Sequence, residues 1–73
     1  MTQDPLDTFT ANLSRRRRDL GLTQEAVAAD AMMDQSQYSR IELGRVDPSI
    51  RTLTRVARAL RTTPSELLRG IDA

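Results

Sequence analysis

Gln35, Ser36 and Arg40 fall within ten residues of one another in the stretch AMMDQSQYSRIELG, residues 31 to 44. A glutamine amide can pair with N6 and N7 of adenine, a guanidinium with O6 and N7 of guanine, and a serine hydroxyl with either kind of base edge. At about 100° per residue, Ser36, Arg40 and Leu43 share one side of a short helix and Gln35 stands in its first turn. Tyr38 and Ile41 lie on the other side, with Glu42 close beside them. Other chemistries lack their residues. The chain contains neither His nor Cys, so hydroxyl nucleophiles have no imidazole base and no thiolate or imidazole is available to a metal. Helix caps and an ion pair account for the carboxylates. No enzymatic activity, cofactor or metal is therefore expected.

With 73 residues, positions 1–73 read as one small domain with a single modest core. Helix packing must hold it without disulfides. The formal net charge is only +1, yet the charges are unevenly placed. Residues 1–37 carry four arginines against six acids, and residues 38–73 carry seven against four. That asymmetry permits a basic face, although solvated helix surfaces account for it equally well. No apolar run approaches the roughly 20 residues that cross a bilayer, and MTQDPLDTF lacks the order of a signal peptide, so a soluble cytoplasmic protein is expected.

Five helical segments must position these residues. Asp4 caps the first, with Pro5 at its first position and Gly21 as its stop. Leu6, Phe9, Leu13 and Leu20 form its apolar stripe, and within RRRR the spacing places Arg17 inside that stripe, Arg16 on its flank, and Arg15 and Arg18 outward. Thr23 caps a second helix from Gln24 to about Asp30, with Val27, Ala28 and Ala31 as small contacts. Asp34 caps a third over residues 35–43, closed by Gly44, with Met33 placed to staple onto Tyr38. A fourth helix over residues 50–60 follows the turn Asp47, Pro48, Ser49. Its apolar face is Ile50, Leu53, Val56, Ala57 and Leu60, and Arg51, Arg55 and Arg58 stripe the other side as a solvated face. Thr63, Pro64 and Glu66 read as cap, first residue and capping-box acid of a short fifth helix bearing Leu67 and Leu68. A charge on the inward side of a helix is costly alone, so Arg17 and Glu42 are expected to pair and tie the first helix to the third.

Two short helices joined by a tight turn, the second with a polar outer face, are what a helix-turn-helix reader of the major groove requires. Here the chain resembles the lambda-repressor-like, Cro/C1-type helix-turn-helix family. The resemblance rests on LGLTQEAVA, SRIELG and DPSIRTLTRVARAL with the closing TTPSELL, and it covers residues 9–69. It implies an all-α, five-helix DNA-binding domain with the helix-turn-helix at about residues 23–43. It further implies that Gln24 contacts a backbone phosphate and braces Gln35, and that Gln35, Ser36 and Arg40 meet bases with Ser39 flanking. Arg45 would contact phosphate, and the family ion pair falls on Arg17 and Glu42.

Three residues depart from the family pattern. Met32 replaces the usual turn glycine, where φ > 0 costs about 1 kcal/mol or more, which leaves the turn open to rebuilding. Tyr38 replaces a small aliphatic residue, which bears on the tilt of the third helix. Asp34 stands where Ser or Thr is common and reads as a cap rather than as an acceptor for cytosine. One recognition helix reads only a few base pairs, so a homodimer is expected, with Leu67, Leu68 and Ile71 as candidate interface residues. The function that follows is a dimeric transcriptional regulator, a repressor by family tendency, on an inverted-repeat operator of double-stranded DNA. The competing reading is an antitoxin or adaptor whose main partner is another protein, such as a toxin or polymerase.

Overall fold

The computed structural model describes residues 4–71. Five helices follow one another: α1 (Pro5–Asp19), α2 (Gln24–Asp30), α3 (Gln35–Glu42), α4 (Ile50–Ala59) and α5 (Pro64–Leu67). Each starts where a side-chain oxygen satisfies an otherwise orphan backbone N–H: Asp4, Thr23, Asp34, Ser49 and Thr63 accept from residues two or three further on. At α5 the Glu66 N–H donates to Thr63, and the Glu66 carboxylate lies 3.6 Å from Arg69.

The ends of α1 to α4 share one device. After each, a residue with positive φ turns the chain: Gly21, Met32, Gly44 and Arg61, with φ between 57° and 73°. In every case the next N–H reaches back to the carbonyl five residues earlier, as from Met33 to Ala28 at 3.0 Å and from Thr62 to Ala57 at 2.9 Å. This is the Schellman arrangement. The turn between α2 and α3 is therefore not rebuilt around Met32, which adopts the left-handed conformation at φ 61°. Its side chain is 80% exposed, so nothing in the core compensates the strain.

α1 packs on α3 and α5, and α2 packs on α3 and α4. The core between them comprises Phe9, Leu13, Val27, Ala28, Ala31, Tyr38, Ile41, Leu53, Val56, Ala57, Ala59, Leu60 and Leu67, with Leu6, Leu20, Leu22, Met33 and Ile71 packed at its edge. Tyr38 sits fully inside, at 0% exposure. Ile50, expected in the core, is 77% exposed. It begins α4, where the first turn projects beyond the packed layer, and it lines an apolar groove of about 460 Å³ with Leu6, Phe9, Leu53, Leu68 and Ile71. Leu67 is core at 2% exposure, which removes it from any free surface, whereas Leu68 is 38% exposed.

Polar groups of α1 tie the bundle together where no apolar pattern announces it. The Arg16 guanidinium donates to Leu60 O and Arg61 O, both at 2.9 Å, closing the C-terminal end of α4. Asn12 Nδ2 donates to Leu67 O at 2.9 Å and Arg69 O at 2.8 Å, anchoring α5. Among the described residues no helix is long and apolar enough to cross a membrane.

Candidate nucleic-acid interface

The position of α3 is set by three local features. Asp34 accepts the Gln37 N–H at 2.8 Å while Gln37 Oε1 accepts the Asp34 N–H at 3.1 Å, a complete capping box. Ser36 Oγ donates a second bond to the same carboxylate, 2.7 Å from Asp34 Oδ1. The backbone N–H of Gln37 and the Ser36 hydroxyl hold Asp34 below its ordinary pKa, and the charge of Arg40 contributes. Asp34 is thus a cap. Gln37, not anticipated from sequence, completes it; the signal was present in the spacing of Asp34 and Gln37 three residues apart.

On its inner side α3 is held by the ion pair. Arg17 Nη2 and Nε donate to Glu42 at 2.7 and 3.0 Å, and Nη1 donates to Leu22 O at 3.0 Å. The expected burial is partial: the Arg17 side chain is 17% exposed and that of Glu42 8%. Burial pushes the Glu42 carboxyl up, but hydrogen bonding and charge from Arg17, with help from Tyr38 and Gln24, hold it below its ordinary range. The Tyr38 hydroxyl beside this pair is buried without a hydrogen-bond partner of good geometry. Burial raises its pKa, so the phenol stays neutral.

The outer side of α3 is left open. Gln35, Ser36 and Arg40 are exposed and Ser39 is half-buried; Ser36 and Arg40 lie on the side away from Tyr38 and Ile41, and Gln35 stands in the first turn. Arg45, in the loop after α3, is also exposed. Gln24 is half-buried and close enough to Glu42 to lower its pKa. Among the described residues it makes no hydrogen bond to Gln35, so that brace is not formed here. Arginines divide by duty. Arg15, Arg16, Arg17 and Arg69 are engaged by protein groups. The guanidiniums of Arg18, Arg40, Arg45, Arg51, Arg55, Arg58 and Arg61 have no such partner among the described residues, and all seven residues are exposed.

A short helix with exposed polar residues on its outer face, preceded by a second helix across a tight turn, is the arrangement that enters a major groove. The helix-turn-helix family pattern matches residues 13–67. A curated relative, the uncharacterized HTH-type transcriptional regulator y4dJ of Sinorhizobium fredii, is 40% identical over 62 residues, covering 85% of this chain and 80% of that protein. No solved structure matches the chain. The protein belongs to the Cro/C1-type helix-turn-helix family, a class of DNA-binding regulators and not of enzymes.

Proposed function

We propose that this protein is a cytoplasmic, sequence-specific reader of double-stranded DNA that represses transcription as a homodimer on an inverted-repeat operator. The observation that carries the reading is the outer face of α3, where Gln35 and Arg40 are exposed and have no side-chain hydrogen-bond partner among the described residues, while the same helix is locked by its capping box and by Arg17–Glu42. Side chains with base-reading geometry are displayed on an element that does not have to be ordered upon binding. Gln35 and Arg40 meet base edges. Ser36 acts as an acceptor or exchanges its bond to Asp34, Ser39 flanks, and Gln24 and Arg45 lie along phosphates. The relative's name as a transcriptional regulator supports the regulatory assignment.

Two recognition helices on one DNA face stand about 34 Å apart. A molecule 36 × 21 × 20 Å in extent fits beside its copy at that spacing. Leu68 and Ile71 remain as the interface candidates, with Ile50 next to them in the same apolar groove. That groove also favours the second reading, a module whose main partner is another protein. Arg40→Ala separates the two: it should weaken binding to the preferred site by about 1 to 3 kcal/mol and relax specificity at one position. An Arg40→Ala variant with unchanged affinity and specificity would count against base reading.

A further inference from the structure

Beside the reading face a cleft of about 360 Å³ opens between α3 and the start of α4. It is lined by the apolar Met33, Ile41 and Val46 and by polar groups that include Arg40 from α3 and Arg55 from α4. Neither guanidinium has a hydrogen-bond or ion-pair partner among the described residues. Asp47 is the carboxylate among the residues that line the cleft, and it forms no ion pair with either arginine; Asp34, outside the lining, also feels the charge of Arg40. Neutral donors converge on the same space. Gln37 has its oxygen committed to the Asp34 N–H, leaving its NH₂ free. The Thr52 hydroxyl accepts from Ser49 at 3.0 Å and retains its own proton.

We propose that this cleft receives one phosphate of the DNA backbone, with Arg55 as its principal cation and Thr52 as a neutral donor. The inference rests on the DNA-reading function and extends it to α4, whose arginines the sequence pattern assigns to a solvated face. Charge complementarity selects the occupant. Within the lining two guanidiniums stand against one carboxylate, Asp47, a balance that favours a monoanion, and the cleft adjoins the helix that enters the groove, where a backbone phosphate must pass. Arg55 is a positioning contact, indifferent to sequence, whereas Arg40 can reach from the cleft to a base edge.

The test combines a protein substitution with a neutralised phosphate. Wild type, Arg55→Ala and Arg58→Ala are titrated with the selected operator and with a scrambled duplex from 50 to 200 mM salt. Each operator is also prepared with methylphosphonate at single positions. Arg58 is exposed on α4 but does not line the cleft. Arg55→Ala should weaken both duplexes and lower the log–log salt slope by about 0.9 per bound protomer. Its fall in affinity over that salt range should thus be roughly 3.5-fold smaller per protomer than that of wild type. One methylphosphonate position per half-site should weaken wild type and Arg58→Ala but leave Arg55→Ala unaffected. A wild-type salt slope and an unchanged methylphosphonate profile in Arg55→Ala would overturn the proposal while DNA reading stands. So would uptake of inorganic phosphate, at constant ionic strength, that depends on Arg55 when duplex binding does not. Failure of wild type to bind any duplex would remove the underlying reading as well.

Discussion

Arg17 and Glu42, 25 residues apart on α1 and α3, are joined by three hydrogen bonds of 2.7 to 3.2 Å. This pair orients the helix that carries the reading face, so its removal bears on stability first and on DNA binding second. Arg17→Ala leaves the Glu42 carboxylate 8% exposed without its cation, and leaves Leu22 O without its donor. The expected loss is about 3 kcal/mol, the low end for breaking a buried pair because solvent reaches part of Arg17. Glu42→Ala should cost less, since the longer, more exposed Arg17 can turn its charge to water and keep Leu22 O. Urea unfolding of both variants tests the order. A loss below about 1 kcal/mol for Arg17→Ala would show that the pair is solvated.

The same pair sets an acid limit. Glu42 and Asp34 both have folded-state pKa values below their ordinary ones. The stability each contributes is therefore fully present above the ordinary carboxylate range, about pH 4 to 5, and is lost as pH falls through the depressed folded value. Thermal melts should be flat near neutrality and fall steeply below about pH 4. Glu42→Gln should reduce that slope, and equal slopes for it and wild type would remove Glu42 as a source.

Met32 carries the strain of the helix-turn-helix turn at φ 61° with a side chain 80% exposed. Met32→Gly removes an unfavourable left-handed conformation but loosens the unfolded chain. The net should be a stabilisation of up to about 1 kcal/mol with DNA binding retained. Destabilisation in the same urea titration would mean that the Met32 side chain contributes contacts the turn needs.

The Tyr38 hydroxyl is buried with no partner of good geometry. Tyr38→Phe keeps the ring in place and removes an unsatisfied polar atom. Stability should be unchanged or raised by about 1 kcal/mol. A loss above about 1 kcal/mol would instead show that the phenol donates to the Glu42 carboxylate in solution.

Helix existence and order were legible because capping residues and apolar periodicity agree at every element. Thr23, Asp34 and Ser49 mark starts that the structure reproduces. The Arg17–Glu42 pair was legible for a different reason: two charges on inward faces have few satisfactory alternatives. Ile50 misled because periodicity assigns a side to a residue and not a depth, and a first-turn residue can overhang the layer it faces. Arg61 was silent, since nothing in an arginine signals positive φ; its conformation follows from closing α4. The contacts of Arg16 and Asn12 with distant backbone carbonyls depend on how helix ends meet, which local spacing does not encode. The outer face of α3 was legible as residue types. Which of those residues are already engaged was not: Ser36 is bonded to Asp34, while Gln35 and Arg40 have no side-chain partner among the described residues.

The most direct measurement is selection from a randomised duplex pool at physiological salt, with sequencing of the bound fraction and the fold checked by circular dichroism. A dimeric reader predicts enrichment of an inverted repeat whose half-sites lie about 34 Å, one turn of DNA, apart. Enrichment of no sequence by correctly folded protein would contradict the account and turn attention to a protein partner at the groove formed by Ile50, Leu68 and Ile71.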